Sequence, residues 1–223
     1  MNREIESIRL LLLDLDGTLA DTIESIREGV NLAMKKYGYP EKSYTEVRQA
    51  IGNGARELIR LSMPAEATAD PAQVDRVFAD YHAAYGTTYA HCTECYAGIP
   101  EALNELRRAG YTLAVLSNKQ DVYVKELVKA LLPEGWISIA MGQTDLPRKP
   151  DPTVPLMIAK ELGFTPAETA FIGDSEVDVK TGQNAGMLTV ACAWGYRDRE
   201  DLEKAEPDCL LCEPKELQAL FLS

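Results

Sequence analysis

Residues 8–18 read Ile8-Arg9-Leu10-Leu11-Leu12-Leu13-Asp14-Leu15-Asp16-Gly17-Thr18. A short, almost wholly aliphatic run stopped by a polar, glycine-containing turn is the pattern of a central strand buried on both faces of a parallel sheet. Similar punctuation recurs further along the chain. Tyr111 to Leu116 runs into Ser117-Asn118, Ile137 to Met141 into Gly142, Thr169 to Ile172 into Gly173-Asp174, and Leu188 to Ala193 into Trp194-Gly195. Helical stripes lie between them: Ile99, Leu103, Leu106 and Ala109; then Val122, Leu127 and Leu131; then Leu156, Ile158, Ala159 and Leu162. Strand alternating with helix from about residue 96 onward predicts a Rossmann-like, doubly wound α/β core.

The stretch after the first strand is different. Ile23, Ile26, Val30, Ala33, Met34 and Tyr37 recur at helical spacing, and Gly38-Tyr39-Pro40 ends that helix. Ser43-Tyr44-Thr45-Glu46 has the form of a capping box, and Asp70-Pro71 offers an N-cap followed by proline at the first helical position. No β-type alternation occurs there. A crossover this long exceeds an ordinary βαβ connection. The expected organisation is therefore an α/β core of residues 1–19 and 93–223, with residues 20–92 inserted as a small all-helical cap domain.

Bulk properties narrow the function. Apolar residues make up 46% of the 223 positions and charged residues 26%, which is the composition of a globular protein with ample core material. The formal net charge is -12. Such a surface repels nucleic acid and anionic membranes, so neither is an expected partner. An anionic substrate would need a local positive site, which a divalent cation can supply. Met1 to Ser7 is polar and Leu10 to Leu13 is too short for a signal segment or a membrane span, so the expected location is cytoplasmic. Two C-x-x-C pairs, Cys92/Cys95 and Cys209/Cys212, raise the idea of a zinc site. The second reads more simply as strand residues, whose alternation sends positions i and i+3 to opposite faces.

The chemistry gathers at the strand ends. Asp14 and Asp16, two apart on an extended segment, point the same way. Two carboxylates that close repel each other unless a proton or a cation intervenes, and Mg²⁺ with phosphate oxygens is the usual company of such a pair. Residue types alone also fit an N-cap and a turn aspartate. Ser117 and Asn118 offer a hydroxyl, an amide and main-chain N–H groups. Lys149 lies in Pro147-Arg148-Lys149-Pro150-Asp151-Pro152, a loop stiffened by prolines and suited to hold one ammonium over a phosphoryl group. Asp174 stands at a strand tip and Asp178 one turn beyond it, a spacing suited to metal coordination by one and support by the other.

Asp14-Leu15-Asp16-Gly17-Thr18, Ser117-Asn118, Lys149 and Gly173-Asp174-(x)3-Asp178 resemble the four motifs of the haloacid-dehalogenase-like hydrolase superfamily. The cap segment Ile51-Gly52-Asn53-Gly54-Ala55-Arg56 and the Lys149 loop are similar to those of its phosphoglycolate phosphatase group. The resemblance implies that Asp14 is a nucleophile on phosphorus and Asp16 an acid and base in turn. It also implies that Ser117, Lys149 and the main chain near Gly17 and Thr18 bind phosphoryl oxygens, with Asn118 beside them. Mg²⁺ would be held by the Asp14 and Asp174 carboxylates and the Asp16 main-chain carbonyl, with Asp178 in support. Closure of the cap would exclude water.

Rival readings share parts of this pattern. A β-phosphoglucomutase-like enzyme resembles Asp-Leu-Asp-Gly-Val rather than the sequence ending in Thr18, and has a histidine where this chain has Ile26. A dehalogenase lacks the second motif aspartate, and a phosphorylatable signalling module lacks the long insert. Pyrophosphatase and nucleotidase activities stay open. The expected partner is a small phosphorylated metabolite, acted on by a monomer or homodimer. Gly52, Asn53 and Gly54 either present N–H groups to a substrate carboxylate, with Arg56 adding charge, or merely join two cap helices. The first alternative favours 2-phosphoglycolate.

Overall fold

The structure is a computed structural model that describes residues 5–222; residues 1–4, part of the polar N-terminal stretch, and residue 223 lie outside it. In chain order the elements are β1 (Leu10–Leu13), β2 (Ala20–Asp21), α1 (Ile23–Lys36), α2 (Tyr44–Ala50), α3 (Ala55–Ser62), α4 (Pro71–Thr88) and β3 (Glu94–Cys95). Then follow α5 (Ile99–Arg108), β4 (Thr112–Gln120), α6 (Asp121–Leu131), β5 (Ile139–Gln143), α7 (Thr153–Glu161), β6 (Thr169–Gly173), α8 (Glu176–Ala185), β7 (Leu188–Cys192), α9 (Arg199–Lys204), β8 (Cys209–Leu211) and α10 (Glu216–Leu222).

The chain divides into two compact units, one of residues through Ala20 and from Cys95 onward, the other Asp21–Glu94. The first unit is built on a six-stranded sheet in the order β5-β4-β1-β6-β7-β8, parallel at every pairing. It is an α/β, Rossmann-like doubly wound sheet. β1 lies at its centre, where the strand order reverses, and all four of its leucines are fully buried. That burial explains the unbroken aliphatic run, because both faces of the strand are covered by helices. Ligands in such sheets bind beyond the carboxyl ends of the strands at the reversal point.

Three details depart from the expectations. Val122 and Leu156 are exposed, and α6 and α7 bury Tyr123, Val124 and Leu127, and Val154, Pro155, Ile158 and Ala159 instead. Leu127, Ile158 and Ala159 keep to the expected stripes, and only Val122 and Leu156 fall outside them, because consecutive apolar residues leave the edge of a helical stripe undetermined. Ser117 and Asn118 do not end β4, which runs on to Gln120. Between Leu116 and Gln120 the strand spends four steps while β5 spends two, from Met141 to Gln143, a bulge that re-aims the side chains between. Gly142 permits it: a Cβ there would lie 2.5 Å from the Lys119 carbonyl oxygen and 2.6 Å from Asp121 Cα.

The second unit is helical. α1 turns Ile23, Ile26, Val30, Ala33 and Met34 inward and packs against α4, which contributes Val74, Val77, Tyr81 and Tyr85. Ser43 and Glu46 form the reciprocal capping box at α2, and Asp70 caps α4 by accepting the Ala72 N–H at 2.9 Å.

Helix α8, which carries Asp178, approaches the sheet closely at Gly182. A methyl added there would lie 2.6 Å from Thr189 Cγ2 and 3.1 Å from Phe171 Cβ. Thr189 cannot swing aside, because its hydroxyl donates to Asp208 Oδ2 at 2.9 Å and accepts from the Asp208 N–H at 2.8 Å. Alanine in a helix interior gains up to about 1 kcal/mol over glycine, whereas overpacking costs about 1–3 kcal/mol. The clash wins. Gly182→Ala is expected to lower the melting temperature by about 2–6 °C. An unchanged or raised value in a thermal melt would mean that α8 can shift without penalty.

Candidate active site

Four neighbouring strands, β5, β4, β1 and β6, deliver side chains to one place. Asp14 follows β1 and stays in its ladder, its N–H donating to Ile172 O at 2.9 Å. The chain then folds back tightly, with Leu15 O accepting from the N–H groups of Thr18, Leu19 and Ala20 at 3.3, 3.0 and 3.0 Å. Gly17 makes this turn possible with φ of 83°, a left-handed conformation that glycine adopts without strain. A Cβ at Gly17 would collide with the Asp174 carboxylate, and one at Gly195 with Asp174 Cβ and the Gly17 carbonyl. The two glycines let the loops close around Asp174.

Asp14, Asp174 and Asp178 are all buried, and each offers a carboxylate oxygen such that the three lie within 4.8 Å of one another. The buried Lys149 ammonium sits 2.9 Å from Asp14 Oδ1 and 2.6 Å from Asp178 Oδ1. Ser175, the N-cap of α8, fixes the other Asp178 oxygen, donating from its hydroxyl at 2.6 Å and its N–H at 3.1 Å. Asp174 Oδ2 accepts the Tyr196 N–H at 2.6 Å, and Thr18 Oγ1 reaches Asp174 Oδ1 at 3.4 Å. The Asp16 carboxylate stands apart from this triad and pairs with Lys119 at 2.8 Å.

Burial dominates the electrostatics. It raises the Asp14 pKa to about 7, with Lys149 opposing and Asp178 and Asp16 adding to the rise. Burial likewise pushes Asp174 well above the carboxylate range, Asp178 and Asp14 reinforcing it against the Tyr196 N–H and Arg197. For Lys149, burial favours the neutral amine, yet Asp14 and Asp178 outweigh it and hold the ammonium charged. Four carboxylates (Asp14, Asp16, Asp174, Asp178) against two ammoniums (Lys119, Lys149) leave a formal deficit of two positive charges. One divalent cation cancels it, and an all-oxygen donor set of this kind suits a hard ion such as Mg²⁺. The residues fit a metal.

Other expected site residues fall differently. Ser117 is buried beside the cluster, its hydroxyl accepting the Lys119 N–H at 3.3 Å. Asn118 was expected at the phosphate, but its amide clamps the Lys149 main chain: Nδ2 donates to Lys149 O at 3.1 Å and Oδ1 accepts from Lys149 N at 3.0 Å. The side chain fixes the lysine loop. The main chain near Gly17 and Thr18 was expected to bind phosphoryl oxygens, and within it the N–H groups of Gly17 and Thr18 themselves are accounted for. They are engaged within the turn, on Ala20 O at 2.9 Å and Leu15 O at 3.3 Å, because a loop this tight closes on itself. Gly52, Asn53, Gly54 and Arg56 belong to the second unit. Gly52 and Gly54 have φ of 116° and 82°, Gly54 preceding α3 as its N-cap. The Arg56 guanidinium pairs with Asp75 at 2.7 Å on the surface. The cysteine pairs assemble no ligand set: the acidic triad is the one group of three potential ligands among the described residues.

Sequence reasoning passed over Lys119, Ser175, Gly195 and Tyr196. Two of these had signals. Ser175-(x)2-Asp178 is itself a capping box, and Lys119 directly follows Ser117-Asn118. The contribution of Tyr196 is a main-chain N–H, which no residue type announces.

The sequence profile of the haloacid dehalogenase-like hydrolases matches residues 11–192. Phosphoglycolate phosphatase 1 of Pseudomonas aeruginosa is 30% identical over 213 residues, covering 94% of this chain and 78% of its own. A phosphoglycolate phosphatase of Aliivibrio fischeri is 30% identical over 223 residues, 97% of each chain. Among solved structures, a candidate phosphoglycolate phosphatase from Lactobacillus delbrueckii superposes with a TM-score of 0.88 at 26% identity, over 95% of this chain and 98% of its own. No helix among the described residues is long and apolar enough to cross a membrane.

The raised Asp14 pKa has a consequence for stability without metal. Between its ordinary value of 3.8 and the folded value of about 7, the folded chain binds a proton that the unfolded chain releases. Stability present at low pH is therefore lost as pH rises through that window. The metal-free protein should melt at a lower temperature at pH 8 than at pH 5, and Mg²⁺ should recover part of the loss at pH 8. Asp14→Asn should flatten the slope. Equal slopes for wild type and variant in calorimetry would contradict this account of the cluster.

Proposed function

The chain belongs to the haloacid dehalogenase-like hydrolases and is a phosphatase, and we propose that it hydrolyses small phosphate monoesters with Mg²⁺ through a phosphoaspartate on Asp14. The observation that carries this reading is the buried triad of Asp14, Asp174 and Asp178 bridged by the Lys149 ammonium. Mg²⁺ would be held by the Asp14 and Asp174 carboxylates and the Asp16 carbonyl, with Asp178 in support. Its charge would return Asp14 to the carboxylate form at neutral pH and offset the charge of the phosphoryl group.

A carboxylate oxygen of Asp14 attacks phosphorus, and the P–O bond to the leaving group breaks. Asp16 gives its proton to the departing oxygen. Asp16 then takes a proton from water as that water attacks phosphorus, which frees inorganic phosphate and restores Asp14. Lys149 and the Ser117 hydroxyl bind phosphoryl oxygens, an arrangement worth most in a buried site. Asn118 and Ser175 act one step removed, holding Lys149 and Asp178 in place through the bonds described above.

2-Phosphoglycolate is the leading substrate, as a short monoester with one carboxylate. The phosphoglycolate phosphatases that cover nearly the whole chain support this choice.

Asp14→Asn should lower kcat for p-nitrophenyl phosphate by on the order of 10³-fold or more, and EDTA should abolish turnover until Mg²⁺ is restored. Undiminished activity in either case would refute the chemistry. In a panel of phosphorylated metabolites, 2-phosphoglycolate should lead in kcat/KM. A clear lead for sugar phosphates, nucleotides or pyrophosphate would overturn the substrate assignment and leave the chemistry standing.

A further inference from the structure

A phosphatase that selects a carboxylate-bearing leaving group needs a cation near the departing oxygen. Arg56 is paired with Asp75 on an exposed surface, and Lys149 is held between Asp14 and Asp178. Lys119 stands elsewhere. Its side chain is 6% exposed and its ammonium lies 2.8 Å from Asp16 Oδ1, the carboxylate assigned above to the departing oxygen. The β4 bulge puts it there, and Gly142 opposite leaves room for the Lys119 main chain.

We infer that Lys119 is a specificity residue of the core unit, its ammonium binding the carboxylate of an anionic leaving group while Asp16 serves the ester oxygen. The inference rests on the phosphatase reading and deepens it. Span and charge both fit. In a glycolate group the ester oxygen and a carboxylate oxygen are separated by two carbons, about 3 Å. An ester oxygen within hydrogen-bond reach of Asp16 leaves the carboxylate a span short enough to turn onto an ammonium already 2.8 Å from that side chain. A lysine is a compact point charge with three donors, able to hold two carboxylates at once. In a chain of net charge -12, a buried ammonium is also the feature that would reward a second anionic group on the substrate.

The experiment compares 2-phosphoglycolate with its neutral isostere, phosphoglycolamide, in wild type, Lys119→Met and Lys119→Gln, all with Mg²⁺. Any disturbance of Asp16 falls on both substrates, so the ratio of their kcat/KM values isolates recognition of the carboxylate. Wild type should prefer phosphoglycolate by about tenfold or more, the worth of one charge-assisted hydrogen bond. Both variants should bring the ratio near one, chiefly through KM for phosphoglycolate. If the ratio survives in either variant that folds, Lys119 does not read the carboxylate. If both substrates fall equally while the ratio is kept, its role is confined to positioning Asp16. Should wild type hydrolyse neither compound while still cleaving p-nitrophenyl phosphate, the phosphoglycolate assignment fails first; should it cleave none of the three, the phosphatase reading itself fails, and both results are distinct from the other two.

Discussion

Everything in the core unit answers to one constraint: several carboxylates are held together out of water. Asp14, Asp174 and Asp178 are buried and mutually close, with the single Lys149 ammonium between two of them. Isolated buried charges are costly, and like charges raise the cost. The chain therefore commits a serine cap, a main-chain N–H and a lysine to the cluster. It also leaves side chains off at Gly17 and Gly195, where a Cβ would strike Asp174 or the loop beside it. Such an arrangement opposes the folded state when empty and favours whatever positive charge enters it. Tension in the fold and affinity for a cation have the same origin.

The sheet makes the gathering possible. Parallel strands point their carboxyl ends one way, so residues distant in sequence, from Asp14 to Asp178, meet along one edge. Two lysines divide the work of neutralisation, Lys149 with the triad and Lys119 with Asp16. Their placement differs in kind. Lys149 is fixed from behind by Asn118, which grips its main chain; Lys119 is aimed by a distortion of the strand that carries it.

Legibility in the sequence followed the physics of each signal. The Leu10–Leu13 run can be read because a strand covered on both faces tolerates no polar residue, and the Ser43/Glu46 and Asp70-Pro71 caps because their chemistry is local. The acids and Lys149 were legible as residue types at strand ends, and the structure draws Asp14, Asp174, Asp178 and Lys149 together. Direction was harder to read. Asn118 looked like a ligand for an anion and faces a main chain. The N–H groups of Gly17 and Thr18 are used by their own turn, which no residue type announces. Arg56 looked like a spare charge, though its partner Asp75 is nineteen residues away. Each depends on a contact between segments that spacing does not encode. The bulge in β4 is of the same kind, since it shows only when the partner strand is known.

One modest feature governs how this architecture can vary. The chain leaves the α/β unit through Ala20–Asp21 and returns through Glu94–Cys95, and these two short strands pair with each other. With departure and return pinned side by side, the sheet sees fixed ends, and each doubling of the insert adds only about 0.6 kcal/mol of closure cost. The helices between them are thus a cassette: they can lengthen, shrink or be exchanged wholesale while the acids and lysines at the strand ends keep their places, so that the insert can diverge while the chemistry stays unaltered.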